Sequence, residues 1–445
     1  MSNVVRIGVV GLGTVGSGVV RLLAQSADHI ERHAGRPIVV ERAVVRDPGK
    51  ARGLPLAADR ISSDIREISR NPEISIGVLL VGGLEPARSM MIDLLENGKD
   101  VVTANKALLA EHGPELFELA RRKGRSIAFE AAVAGGIPIV AAISECLAAN
   151  RIESIRGILN GTSNFILTRM EEDGADYADV LRLAQTEGYA EADPSMDVDG
   201  TDATQKLAIL AHLAFGVWVP WTEIPRTGID GLDLDLLNYA GELGYRIRLV
   251  AVARRGDGRL SLRVAPALVK KGTPLAETRG AYNAVSIVGD AVGRMFFHGL
   301  GAGEMPTASA VVADIIDMVV GRSAITFRTT GMLDASAGST GGAGAGMRLG
   351  GVETHERHFL RIHAADRPGV LARITGILGD HGISIASVIQ HSGRDGEEQA
   401  GTSGSVPLVI MTHACSPAAI VQAMTAIDAS DVVAGRSICL PVLEE

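Results

Sequence analysis

Aromatic residues make up only 3% of this 445-residue chain, with eight phenylalanines, five tyrosines and two tryptophans. Stacking platforms for single-stranded nucleic acid are built from aromatics. A formal net charge of −9 also removes the basic footprint that a phosphate backbone would need. No nucleic-acid partner is therefore expected. Cysteine is scarcer still: Cys146, Cys415 and Cys439 stand far apart, without metal-type spacing. That excludes a disulfide framework and suits a reducing, cytoplasmic compartment. No apolar run approaches the roughly 18 residues of a membrane span, so no membrane partner is expected. The start, MSNVVRIGVVGLG, enters a strand at once with no basic leader or cleavage site, which argues against a signal peptide. What the chain does have is apolar bulk, 46% of its residues. That is enough for two or three domains with cores of their own.

Residues 4–10 read as an apolar strand, and GLGTVG follows directly. Gly11, Gly13 and Gly16 fit G-x-G-x-x-G, with a helical pattern behind them. In such a turn the first glycine permits the bend and the second admits a pyrophosphate to the backbone. The third lets helix and strand pack closely. The helix N-terminus, at Thr14, Val15 and Gly16, then offers unpaired N–H groups to phosphate. This predicts dinucleotide binding. The next strand, Ile38–Val45, ends in Arg46-Asp47, with Lys50 and Arg52 beyond. An acidic residue there favours NAD and an arginine accommodates the 2′-phosphate of NADP. Arg46 comes first and has cationic company, so NADP is the preferred expectation.

Strand and helix patterns then alternate through ISIGVLLVGG, a helix near 86–97, DVVTAN, a helix near 107–123, and the strand SIAFEAAV. The rhythm predicts a doubly wound parallel sheet. Lys106 follows DVVTAN at the carboxyl end of a strand, where such sheets bind ligands. Cys146, on the apparent helix AAISECLA, is expected to be buried packing.

The most concentrated chemistry lies between Glu187 and Lys206. Six carboxylates, Glu187, Glu191, Asp193, Asp197, Asp199 and Asp202, precede one lysine. Gly188, Pro194 and Gly200 mark an irregular loop. From Thr201 the pattern is helical and closes at Gly216. Asp202 and Lys206 are four apart and share a helix face. Asp197, Asp199 and Gly200 imitate part of a calcium loop, but that register puts Lys206 where a bidentate glutamate is required. The residues alone leave a solvated acidic surface and a catalytic site both open. In the catalytic reading, carboxylates grip an ammonium and a lysine held beside them moves a proton.

This stretch resembles the signature of homoserine dehydrogenases, G-Y-x-E-x-D-P-x-x-D-x-x-G-x-D-x-x-x-K, at every fixed position. TANKALLA, N-G-T-x-N at Asn160–Asn164, and GLGAGEMPTASAVVADIIDM resemble further phrases of that family, in the same order. The resemblance implies that Lys206 is the proton donor and that Lys106 sits beside nicotinamide and substrate. It implies that Glu191 and Asp202 contact an amino-acid substrate, and that Gly188 and Gly303 join Gly11, Gly13, Thr14, Val15, Gly16, Arg46 and Lys106 around the cofactor. It also implies a sodium ion at the bend EAAVAGGIP, held by the Glu130 side chain and the carbonyls of Val133, Gly135 and Ile137. The activity implied is NAD(P)-dependent interconversion of L-aspartate 4-semialdehyde and L-homoserine, in threonine, methionine and isoleucine biosynthesis.

The expected fold is α/β, in five segments. A Rossmann-type domain spans 1–135, and an α+β substrate and dimerisation domain spans 136–304. A helix over 305–330 returns to the nucleotide domain, and a Gly/Ala/Ser-rich linker covers 331–353. From 354 to 445, strand, helix, strand, strand, helix, strand predicts a ferredoxin-like unit. Its turn D-R-P-G-V-L-A resembles ACT regulatory domains, with Ser384 where that family commonly has asparagine. A threonine effector there and a homodimer or higher oligomer are what the resemblance implies. The linker argues against a rigid lever and for coupling through contacts between chains. No kinase module is expected ahead of the nucleotide fold. Two rivals stay open: a phosphorylating semialdehyde dehydrogenase, which needs a pocket cysteine, and a non-catalytic amino-acid and nucleotide sensor.

Overall fold

The computed structural model describes residues 4–324, 348–350, 355–390 and 405–444. Two sheets carry the architecture. The first holds β1 (Val5–Val10), β2 (Ile38–Val44), β3 (Ile61–Ser62), β4 (Ile74–Leu79), β5 (Asp100–Thr103) and β6 (Ile127–Ala128), in the order 3-2-1-4-5-6. All its pairings are parallel. β1 and β4 are almost wholly apolar and buried, as strands covered by helices on both faces must be. The order reverses between β1 and β4, which opens a crevice beyond their carboxyl ends. The Glu304–Val320 helix packs back against the Thr14–Gln25 and Ala27–Ala34 helices, as expected of a returning segment. It begins at Glu304, one residue before the expected 305, behind Gly303 at φ +124°, and ends at Val320, where Gly321 turns left-handed at φ 87°, short of the expected 330.

Two expectations need correcting. SIAFEAAV is a strand only at Ile127–Ala128 and then becomes a tight turn over Glu130–Ala132. The Glu130 N–H donates to Asp314 Oδ2 at 2.9 Å, so it cannot continue the ladder. AAISECLA is not a regular helix. After Ile139–Ala141 the backbone widens into a π-turn over Ala142–Cys146, with the Leu147 N–H donating to the Ala142 carbonyl at 2.8 Å. The added residue rotates Cys146 off the buried stripe of Ala142, Ile143 and Leu147, and its thiol is exposed.

The second sheet begins antiparallel. β7 (Ile152–Ile158), β8 (Tyr245–Gly256), β9 (Arg259–Lys270), β10 (Tyr282–Gly289) and β11 (Gly293–Leu300) lie in the order 11-10-7-8-9. β8 and β9 form a hairpin, turning through Asp257 at φ 49° and Gly258 at φ 70°, a mirror-type turn suited to strand twist. The Gly161–Asp173 and Thr201–Phe215 helices cover β8. N-G-T-x-N is therefore mostly the first turn of a helix, with only Asn160 outside it.

The C-terminal unit follows with β12 (Arg348–Leu349), β13 (Arg357–Ala365), β14 (Ile385–Gln390), β15 (Ser405–Thr412) and β16 (Ile438–Leu443). Strands 16-13-15-14 pair antiparallel, with helices Val370–Asp380 and Pro417–Asp428, the predicted ferredoxin-like arrangement. This unit is not merely tethered. β16 pairs parallel to β9, Val442 with Leu268 and Leu443 with Val269, so ten strands make one sheet. Leu443 is buried with Ile158, Val250 and Ala267 of the central sheet. Arg263 bonds Glu356 at 2.7 Å across the seam. Most of the Gly/Ala/Ser-rich segment lies outside the described residues, but Arg348 and Leu349 pair with Arg259 and Leu260 of β9. The C-terminal unit and the central strands thus share one sheet within one chain.

Candidate active site

The site is assembled from the carboxyl ends of the parallel strands and the buried helix Thr201–Phe215. Asn105 ends the segment after β5. Its side chain donates to the Val81 and Gly83 carbonyls at 2.9 and 2.6 Å, and its Oδ1 accepts the Leu108 N–H at 3.0 Å. It thereby caps the Lys106–Arg122 helix and fixes Lys106 as the first helical residue. An N-terminal position is poor for a cation, because the helix dipole is positive there. The compensation is Asp202, whose Oδ1 lies 3.0 Å from Lys106 Nζ. That carboxylate holds the Lys106 ammonium above its ordinary range, and Asp197 and Glu191 act in the same direction.

Asp202 also accepts from Lys206. Its Oδ2 lies 2.8 Å from Lys206 Nζ, and that ammonium donates to the Leu159 carbonyl at 2.7 Å. One buried carboxylate therefore bridges two lysines from different domains. Burial alone would raise the Asp202 carboxyl, but Lys206 and Lys106 outweigh it and hold the group below its usual range. The helix itself is as predicted: Asp202 is 5% exposed, Leu207, Leu210 and Leu213 are buried, and Gly216 ends it at φ 68°. The acidic loop divides. Glu191, Asp193 and Asp199 are exposed, whereas Asp197 is half-buried. Burial raises Asp197 above the usual carboxylate range.

Asn160, not singled out as a site residue, organises this cluster. Its Nδ2 donates to Asp197 Oδ1 at 2.7 Å and to Asp202 Oδ2 at 2.8 Å, while its Oδ1 accepts the Ser163 N–H at 2.7 Å. The available signal was its place directly before a helix, where asparagine is a favoured cap. Thr162 donates to the Tyr189 carbonyl at 2.7 Å and ties down the loop that carries Glu191. Gly188 turns that loop at φ 80°.

The glycine turn lies at the switch point. A methyl built on Gly11 would stand 3.0 Å from the Leu80 carbonyl oxygen, in the segment that also binds Asn105 through Val81. A methyl on Gly16 would stand 2.0 Å from the Gly11 oxygen, whereas Gly13 faces open space. The backbone at Gly13 is thus open to a bulky ligand, and the residues fit a dinucleotide pyrophosphate. Glu304, beside Gly303, pairs with Arg21 of the first helix. At the far end of β2, Arg46 is exposed and makes no hydrogen bond with a described residue. Arg52 folds back onto the Asp47 and Lys50 carbonyls.

The Glu130 bend has its own character. Ala134 and Gly135 are both left-handed, at φ 55° and 38°. The Glu130 carboxylate accepts the Val140 and Ala141 N–H groups at 2.8 and 2.7 Å, and burial raises its pKa to about 7. Buried Asp314 beside it is raised well above the usual range, by burial and then by Glu130. The Val133 and Gly135 carbonyls accept no backbone hydrogen bond from a described residue, whereas that of Ile137 accepts the Ile139 N–H at 2.7 Å. Buried acids short of positive charge beside open carbonyls fit a hard monovalent cation. Among the described residues no three His, Cys, Asp or Glu side chains form a metal cluster. No described helix is long and apolar enough to cross a membrane. His358 Nδ1 lies 3.5 Å from Cys415 Sγ inside the C-terminal unit.

A parallel sheet of this order binds dinucleotides at its switch point. Here Asp202 brings two ammonium groups together at the neighbouring strand end, the place where a carbonyl oxygen could be met. The class of protein so defined is a dinucleotide-dependent oxidoreductase. The family profile "Homoserine dehydrogenase, NAD binding domain" matches residues 11–130, "Homoserine dehydrogenase" matches 138–316, and "ACT domain" matches 358–429. A homoserine dehydrogenase of Pseudomonas aeruginosa is 44% identical over 97% of this chain and 97% of its own. The crystal structure of one from Thiobacillus denitrificans is 42% identical, covers 99% of this chain and 98% of its own, and superposes with a TM-score of 0.87. A hyperthermophilic archaeal homoserine dehydrogenase solved in complex with NADPH is 29% identical over 71% of this chain and 97% of its own, with a TM-score of 0.59. The chain belongs to the homoserine dehydrogenase family, NAD(P)-dependent oxidoreductases that interconvert L-aspartate 4-semialdehyde and L-homoserine.

Proposed function

We propose that this chain reduces L-aspartate 4-semialdehyde with NADPH in preference to NADH, in the pathway to threonine, methionine and isoleucine, in the cytoplasm. The observation that carries the residue roles is the bridge of Asp202 between Lys106 and Lys206. The reduced nicotinamide, when bound, supplies the hydride that the aldehyde carbon takes up. Lys206 donates the proton to the carbonyl oxygen from an ammonium seated on Asp202 and the Leu159 carbonyl. Lys106 adds positive potential where negative charge develops on that oxygen. Glu191 and Asp202 contact the amino-acid part of the substrate. Gly11, Gly13, Thr14, Val15 and Gly16 hold the pyrophosphate, Arg46 pairs with the 2′-phosphate, and Gly188 and Gly303 border the cofactor. Sodium at Glu130, Val133, Gly135 and Ile137 would stiffen the bend between the two sheets. The C-terminal domain binds threonine and lowers activity, and the chain works as a homodimer.

The exposed Cys146 disfavours the rival that acylates a pocket cysteine. The test follows the nicotinamide absorbance band with homoserine at alkaline pH, supplying NADP or NAD separately. Reduction of both, faster with NADP, is expected, with inhibition by millimolar threonine. No reduction of either cofactor would leave the chain a sensor and overturn the proposal.

A further inference from the structure

Asn283 lies in β10, and the pairing of Ala284 with Ile158 sets it beside Leu159, just past the end of β7. It is 1% exposed. Its Nδ2 donates to the Leu159 carbonyl at 3.0 Å, the same oxygen that accepts Lys206 Nζ at 2.7 Å. A carbonyl oxygen has two lone pairs, and here one takes the ammonium and the other the amide. The remaining atom of the side chain, Oδ1, is buried and accepts nothing among the described residues. Flipping the amide would relieve nothing, because it would press Oδ1 against the Leu159 oxygen, acceptor to acceptor. The glycine loop confines the group from the other side, since a methyl on Gly301 would stand 2.1 Å from Asn283 Cγ. A buried unpaired acceptor is destabilising, and an apolar side chain of the same size would not carry that penalty. What the asparagine does in return is donate to the oxygen that seats Lys206.

We propose that Asn283 is a positioning residue for proton transfer. By occupying one lone pair of the Leu159 carbonyl it fixes that oxygen and weakens its grip on the Lys206 ammonium, which is then free to turn toward the substrate. The inference rests on Lys206 being the proton donor. Two donors on one acceptor compete, so removing the neutral donor tightens the hold on the charged one. Asn283→Leu, dry and of similar size, lowers kcat about tenfold. Asn283→Ala leaves room for a water that donates in its place, and lowers kcat only about threefold. Cofactor KM stays unchanged in both. Thermal stability ranks the other way, with the leucine variant the more stable. A purely structural asparagine would give the opposite order for turnover, with the alanine cavity the worse.

The test measures turnover and melting temperature of both full-length variants, then repeats them with Lys206→Ala. On that background the loss from either Asn283 change should vanish, because the group it acts through is gone. If Asn283→Leu does not fold, the cycle runs with Asn283→Ala and is read the same way. A loss that persists undiminished beside Lys206→Ala, or normal turnover in both Asn283 variants, overturns the proposal. Near-normal turnover in Lys206→Ala alone sinks the reading of the lysine instead, and is told apart by that single variant.

Discussion

The two sides of the cleft work by opposite means. On the nucleotide side the useful feature is missing side chains: Gly13 faces open space, and Gly16 lies where a methyl would come within 2.0 Å of the Gly11 oxygen. On the substrate side the useful feature is side chains forced together. Asp202 alone touches Lys106, Lys206 and Asn160 within 3.0 Å. The first side exposes backbone to a ligand and tolerates solvent. The second buries charge and depends on every partner being present, because a buried charge is costly once its counter-charge is gone.

Five substitutions would sharpen or break that contrast. Lys206→Ala should cut turnover by about two to four orders of magnitude, the usual worth of general acid–base catalysis, with cofactor affinity unchanged. Steady-state kinetics with both substrates varied would show it, and a matching loss of cofactor binding would blur the division between the sides. His212, on the same helix, is next. Burial holds its imidazole at about 4 against the usual 6.5, so the unfolded chain binds a proton that the folded chain refuses. Stability is therefore full above about pH 6.5 and falls as pH drops toward 4, by about 3 kcal/mol in total. Urea midpoints at either end of that window, compared with His212→Leu, should show the slope flatten in the variant.

On the nucleotide side, Arg46→Ala should weaken NADP binding by about 1.5–3 kcal/mol and leave NAD unaffected. Equal losses in a cofactor titration would mean that Arg46 supports the fold. The smallest effect on stability separates two glycines. Gly16→Ala drives a methyl into backbone and should lower stability by about 1–3 kcal/mol. Gly13→Ala should leave the melting temperature alone while weakening dinucleotide binding. A melting-temperature loss in Gly13→Ala would end the claim that its role is openness alone.

The nucleotide side was the more legible in the sequence, because its signals are local. GLGTVG sits directly between a strand and a helix, and the alternation of strands and helices behind it is read along the chain. The pairing of Asp202 with Lys206 was also local, at one helical turn. Lys106, Asn160 and Asn283 meet that pair only through sheet pairing and domain packing, which no spacing encodes. The family phrases placed Lys106 there, but they gave no role to Asn160 or Asn283. Cys146 was misplaced because one extra residue in a π-turn shifts the helical phase. The seam between β9 and β16 left no trace at all, since two short apolar segments a whole domain apart carry no mark of being neighbours.

That seam also sets an order of assembly. During synthesis the outer edge of β9 emerges early, yet β12 and β16, which cover its two ends, emerge only later. An uncovered edge strand is a template for pairing with other chains. The catalytic half therefore passes through a period in which its sheet is open and sticky, closed only when the regulatory half has been made. A stop codon after Thr330 would make that period permanent: the shortened chain should aggregate and not persist as a separate catalytic core.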